Sequence, residues 1–513
     1  MPTERVARRS LDALCGGLAV AWIAAWGYGI AHRYFDYDEF QHFYALWRIH
    51  GGARPFNDFF EMHPPFLWYA LAPFTSVLAR FSLPLFPLRI LSALGELALL
   101  GALAKNVSLS MERLPGAVEY SWRVFLVATI AIAGHLSVTW YLLEFRLDAW
   151  PDALLLWAIW RDRRDGRAPF RSPFEYALLS TLMLLCAPKL AALFVLYAAF
   201  SVARADRRRL RAAGLAAGLL VALLMSGLFL IAVGIDPIVV YRMAVTYHVL
   251  IGARGGFGHG LARSLWAQPQ LLALVFSGVL GWLLVARTRL AAFPFELAVC
   301  VFLVLQAALV PLGYPQYYGP WFLLGIVFLP YLETALRRVP LAHHGLVAAG
   351  LLLAGANVAR DLQTFTGVNQ TAPTVAFNRW ASAIVPPEAV VVGDFMHIPL
   401  CRRGAFYHLA GTSTPNGYQV ESALEEMHLP AIGARMGPQA YDEELESGRP
   451  ALIAPGPLLS SAQLRSIDRY LARHRAEFRT VDSPEGAVWL RSELGHREPI
   501  PPGICAPSPF AVR

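Results

Sequence analysis

Four side chains near the start of the chain have the types and spacing of acid, base and metal-ligand chemistry. Asp36, Asp38, Glu39 and His42 fall within YFDYDEFQHF, residues 34–43, and Asp58, Glu61 and His63 follow in the same segment. A carboxylate placed at a cavity can take a proton from an attacking hydroxyl. Glu39, His42 and His63 are of the residue types that hold a divalent cation. Glu144, Arg146, Asp148 and Asp152 form a second charged group around RLDAWPDALLLW, residues 146–157. Lys189 stands alone in LMLLCAPKLAALFVLY, and it is one of 2 lysines beside 42 arginines. Its ammonium is a compact point charge, suited to a phosphate held in a tight space.

Each group also has a plainer reading. Acids beside a helix end can simply solvate a loop. Glu39, His42 and Leu46 recur at helical spacing, so His42 could be an interfacial side chain. Arg146 and Asp148 could be an ion pair. Asp36 is expected to point to solvent. Lys189 reads as an unpaired cation, so replacing it should leave stability about unchanged. GGFGHG, residues 255–260, lacks a preceding strand and a GK[ST] ending, and reads as a flexible loop rather than a phosphate loop.

The elements that must position these groups are largely membrane helices. The 513 residues are 56% hydrophobic and only 16% charged, against about 25% charged in soluble chains. The net charge of +8 is spread over short loops, which excludes a nucleic-acid surface. The five cysteines show no CxxC and no disulfide framework. Arg5, Arg8 and Arg9 precede an apolar run without a cleavage site, read as an uncleaved first helix with its N-terminus inside.

Apolar segments lie at 11–31, 66–81, 88–105, 124–143, 149–160, 174–203, 213–234, 264–286, 290–312, 318–336 and 341–358. Arginine clusters at 161–167, 204–211, 287–289 and 337–338 mark inner loops. Parity then requires that one early segment does not cross, and 66–81, short and containing Pro73, reads as an embedded or interfacial helix on the outer side. Segment 174–203 is too short for two spans, and reads as two half-helices meeting at CAPKL, residues 186–190. Residues 32–87, 144–148, 235–263 and 313–317 fall outside, as does the tail after Val358. In that tail AVVVGDF (389–395) reads as a buried strand, 460–478 as an amphipathic helix and AVWLRS as a following strand, which predicts a small α/β domain.

An outer-facing site has no nucleotide at hand, so an activated group must arrive on a lipid carrier. A polyprenyl-phosphate sugar fits, with Lys189 and Arg146 near the phosphate and Asp38 or Glu39 as base. DYDE after the first helix, followed by EMHPPFLWY, resembles the first outer loop of the GT-C glycosyltransferases. The likeness is to lipid A aminoarabinose transferases and protein O-mannosyltransferases. Arg89 in LRILSALGELALL, RLDAWPDALLLW, APKLAAL and PQYYGPW resemble further motifs of that family in order. His63 stands where aminoarabinose transferases have a lysine.

The resemblance implies an all-α polytopic membrane protein of about 11–13 transmembrane helices with a C-terminal soluble α/β domain. It implies a catalytic domain over 1–358, a periplasmic domain over 359–495 and a disordered tail over 496–513. It implies sugar transfer from a polyprenyl-phosphate donor to a lipid, glycan or protein acceptor, at the outer face of the bacterial cytoplasmic membrane. Asp38, Glu39 and Asp148 would be catalytic. Lys189, Arg89, Arg146, His63 and Tyr317 would bind substrate, and a divalent metal ion at Glu39, His42 and His63 would assist. A transporter or flippase of lipid-linked sugars is the alternative, and would carry broken helices in both halves.

Overall fold

The structure is a computed structural model. It describes residues 2–496 except 60, 62, 79, 82, 113–121, 166–167, 248–260, 288–291, 311–314, 338, 368, 394–396, 405–437, 457–458 and 460. The chain is a multi-pass, mostly helical membrane protein. Among the described residues six helices are long and apolar enough to span, by length and composition: Arg9–His32, Leu85–Met111, Arg208–Ala232, Pro269–Ala286, Tyr318–Leu336 and the segment His344–Ile384. The remaining apolar segments are shorter or broken helices, which is why fewer full spans stand here than the apolar runs predict.

The run 124–143 is one of these. It forms Trp122–Ala133 and Leu136–Leu142, bent by 88°. No proline lies between them. Side chains from elsewhere instead take the carbonyls that the break frees. Asn357 Nδ2 donates to Ala131 O at 2.8 Å, and the Thr139 hydroxyl lies 2.8 Å from both Ala133 O and Asp361 Oδ2. Residues 174–203 form Arg171–Cys186 and Ala191–Arg204, joined by a 3-10 turn Pro188–Leu190. At 1.5 Å per residue these helices reach about 24 and 21 Å, short of the roughly 30 Å hydrocarbon core.

Contacts divide the chain into two compact units. The first comprises Met1–His32, Arg89–Ser226 and Phe257–Val368. Its helices pack closely where glycine permits. A Cβ at Gly281 would run into the backbone of Leu332, so Pro269–Ala286 and Leu329–Leu336 approach backbone to backbone.

The second unit comprises Arg33–Leu88, Gly227–Gly256 and Asn369–Arg513. Its helix Tyr37–His50 begins at a capping box, and Phe66–Leu78 is a short apolar helix interrupted at Pro73. The tail carries a five-stranded sheet of β1 (Val390–Gly393), β2 (Arg403–Gly404), β3 (Leu452–Ala454), β4 (Phe478–Ser483) and β5 (Gly486–Arg491), in the order β2-β1-β3-β5-β4. β1 runs parallel to β2 and β3, pairing Val391 with Leu452, while β5 is antiparallel to β3 and β4.

Alternation along β1 sorts two apolar layers. Val390 and Val392 pack with Tyr441, Leu445, Ile467 and Tyr470. Val391 packs with Phe377, Ala381 and Leu490. The helix Ser461–Arg473 buries Gln463, Ser466, Ile467 and Tyr470, the period expected of its sequence. Arg402 is fully buried and donates to Val385 O at 2.9 Å, and burial lowers its guanidinium to about 10. Cys401 is disulfide-bonded, which corrects the expectation of no disulfide. Scattered spacing hid it, because the bridge depends on the fold rather than on a motif.

Candidate functional site

The helical unit gathers its charges around the broken helix. Pro188 ends the run from Arg171, and Lys189 follows in the turn with its side chain 23% exposed. Its ammonium pairs with Asp148, which is 3% exposed at the start of Ala149–Arg164. Burial alone would raise the Asp148 carboxyl. Lys189 and then Arg146 pull it below the ordinary carboxylate value. Tyr141 OH donates to the same Oδ2 at 3.3 Å, and Gln306 Nε2 donates to Lys189 O at 3.4 Å.

Asp148 belongs to a larger acidic group. Asp152, one turn into the helix, and Glu96, on Leu85–Met111, are buried and interact electrostatically with Asp148 and Lys189. Glu96 Oε2 and Asp152 Oδ2 have no hydrogen-bond partner among the described residues. Three buried carboxylates thus interact with one partly exposed ammonium.

Arg146 pairs with Glu144 and also acts electrostatically on Asp148. Its backbone N–H donates to Ser92 Oγ at 3.0 Å, which fixes the loop to Leu85–Met111. Arg89 is buried and donates to Ile30 O at 2.9 Å.

The acidic loop lies in the second unit. Asp36 is the N-cap of Tyr37–His50: its Oδ1 accepts from Asp38 N at 3.0 Å, and Glu39 Oε2 accepts from Asp36 N at 2.8 Å. Asp36 is thus a structural residue rather than one aimed only at solvent. The buried Glu39 closes the same cap, while Asp38 is half-buried in the first turn. Glu61, fully buried, accepts from Gln41 Nε2 at 2.9 Å and lies 2.9 Å from His63 Nδ1. The His42 and His63 rings meet edge-on with centroids 5.2 Å apart.

No three His, Cys, Asp or Glu side chains gather as metal ligands among the described residues. Glu39, His42 and His63 therefore form no such set, because Glu39 is turned back onto its own helix start. Tyr317 belongs to Pro315–Gly325, but its side chain lies outside the described residues. Glu96 and Tyr141 were not singled out from the sequence. For Glu96 the signal was there, a lone carboxylate inside a 27-residue apolar helix. Tyr141 offered none.

The fold is that of ArnT. The crystal structure of ArnT from Cupriavidus metallidurans in the apo state matches with a TM-score of 0.59, over 95% of this chain and 99% of that one, at 13% identity. The crystal structure of ArnT from Cupriavidus metallidurans bound to undecaprenyl phosphate matches with a TM-score of 0.57 over the same shares, at 15% identity. No known sequence family matches the chain, and no curated protein does. The resemblance read from the sequence motifs thus holds at the level of the fold.

Proposed function

We propose that this protein is a GT-C glycosyltransferase that moves a sugar from a polyprenyl-phosphate donor to an acceptor hydroxyl at the outer face of the bacterial cytoplasmic membrane. The observation that carries the reading is the ArnT-like fold over nearly the whole of both chains, together with undecaprenyl phosphate in one of the two matching structures.

In this reading Asp38 takes the proton of the acceptor hydroxyl. The hydroxyl oxygen then bonds the anomeric carbon as the bond from that carbon to the phosphate oxygen breaks. The polyprenyl phosphate leaves with one added negative charge, and Lys189 meets it. Asp148 holds the ammonium in place before the donor enters. Arg89, Arg146, His63 and Tyr317 contact the substrate, and Glu39 steadies the turn that presents Asp38. No step is assigned to a metal ion.

Two further observations support the placement. A disulfide at Cys401 suits an oxidising compartment, in keeping with a domain over 359–495 outside the membrane. Among the described residues six helices are long and apolar enough to cross a membrane, in keeping with an enzyme that takes a lipid-carried donor.

The test is a deletion strain whose envelope glycans and lipid-linked sugars are profiled by mass spectrometry. One sugar substituent should disappear, return with the wild-type gene and stay absent with Asp38→Asn. An unchanged profile would count against the reading.

A further inference from the structure

The helical unit has a polar cavity of about 640 Å³, lined by Asp162, Arg163, Tyr197, Arg204, Arg207 and Arg211 among others. Arginine clusters assign this face to the cytoplasm. We infer that the cavity binds the phosphate of an anionic membrane lipid. The inference is independent of the catalytic reading.

Part of the cavity wall is already committed to the fold. Arg163 Nη1 donates to Asn106 O at 2.8 Å and to its Oδ1 at 3.0 Å, and Arg211 pairs with Asp162. The Asp162 carboxylate also accepts from Tyr197 OH and Ser172 Oγ, each at 2.7 Å, so three groups already hold it. Arg204 and Arg207 differ. They are exposed, stand on either side of the turn between Ala191–Arg204 and Arg208–Ala232, and make no ion pair among the described residues.

Four arginines against Asp162 and Asp206 leave the cavity with an excess of positive charge. Its volume suits a head group, and guanidinium forks match phosphate oxygens two at a time. The surroundings choose a lipid over a soluble anion. Arg208–Ala232 begins at the cavity and is only 22% buried over its apolar window, with Leu220, Leu223, Leu224 and Leu228 exposed. Acyl chains would lie along that flank while the phosphate sits among the arginines, as in other basic pockets between membrane helices.

The full chain in mild detergent is titrated with phosphatidylglycerol or phosphatidylcholine, and retained lipid is counted by native mass spectrometry. Wild type should retain phosphatidylglycerol in preference. The double substitution Arg204→Gln with Arg207→Gln should weaken that retention about thirtyfold, as expected for two surface arginines. Because both side chains are exposed, the melting temperature of the lipid-free variant should match wild type. Arg204→Lys with Arg207→Lys should fall between wild type and the glutamine variant, since the charge remains but the bidentate fork is lost.

Inorganic phosphate at millimolar concentration separates the two sources of the anion. Persistent phosphatidylglycerol retention in its presence supports the membrane lipid. Complete displacement, with no lipid preference left, would overturn it in favour of a free anion. Equal retention of both lipids by wild type, or full retention by the glutamine variant, would also overturn the proposal.

Discussion

Replacing Lys189 with methionine tests the buried pair directly, and the structure reverses the outcome expected from the sequence alone. An unpaired cation could be lost without cost. A cation paired with a carboxylate only 3% exposed cannot, because its removal leaves Asp148 buried beside Glu96 and Asp152. Breaking one side of such a pair costs about 3–5 kcal/mol. We take about 3 kcal/mol, the low end, because Lys189 itself is 23% exposed and its site admits some water. With an unfolding entropy of about 2.1 cal/mol/K per residue, cooperative melting of the chain would convert that to roughly 3 °C.

The partner substitution should behave differently. Asp148→Asn leaves an ammonium that reaches water and removes one of three crowded carboxylates, so it should cost under about 1 kcal/mol. The double variant Asp148→Asn with Lys189→Met should recover most of the loss of the lysine variant. Thermal unfolding of the four proteins in one detergent at one scan rate forms the cycle. A wild-type melting temperature for Lys189→Met, or no recovery in the double variant, would refute the pairing.

Three further outcomes follow. Asp36→Ala removes the side-chain arm of a capping box while leaving its backbone N–H to Glu39, and should cost about 1 kcal/mol, with Asp36→Ser restoring most of it, as read by thermal unfolding. Thiol titration under denaturing, non-reducing conditions should count three thiols, from Cys15, Cys186 and Cys300. Reduction should raise the count to the five of the sequence, and five thiols before reduction would remove the disulfide. Single cysteines at Thr364 and Arg164 should differ in labelling by an impermeant reagent, the first accessible from outside and the second not; labelling of Arg164→Cys from outside would undo the charge-based topology.

Much of this was legible because local rules and the fold agree. The tail helix buries residues at the period its sequence shows, and β1 alternates between two apolar layers as a strand must. The break at Pro188 announced itself by a proline. The bend after Ala133 did not, since its stability rests on Asn357 and Asp361, more than 200 residues away along the chain. Asp148 and Lys189 were both singled out, yet their pairing was hidden by a separation of 41 positions along the chain. DYDE contains the acid-x-x-Glu spacing of a capping box. The catalytic reading of its carboxylates drew attention away from that simpler role for Asp36 and Glu39.

The most direct test of the central claim is turnover of a synthetic polyprenyl-phosphate sugar by the purified protein in lipid, followed by release of free polyprenyl phosphate. Wild type should release it in the presence of an envelope acceptor extract. Asp38→Asn should fall about 10²–10⁴-fold while keeping the wild-type melting temperature. Lys189→Met should release almost none, and so should the stability-restored double variant with Asp148→Asn. Wild-type rates in Asp38→Asn and in that double variant would contradict the assigned roles. No release by wild type from any polyprenyl-phosphate sugar would contradict the account itself.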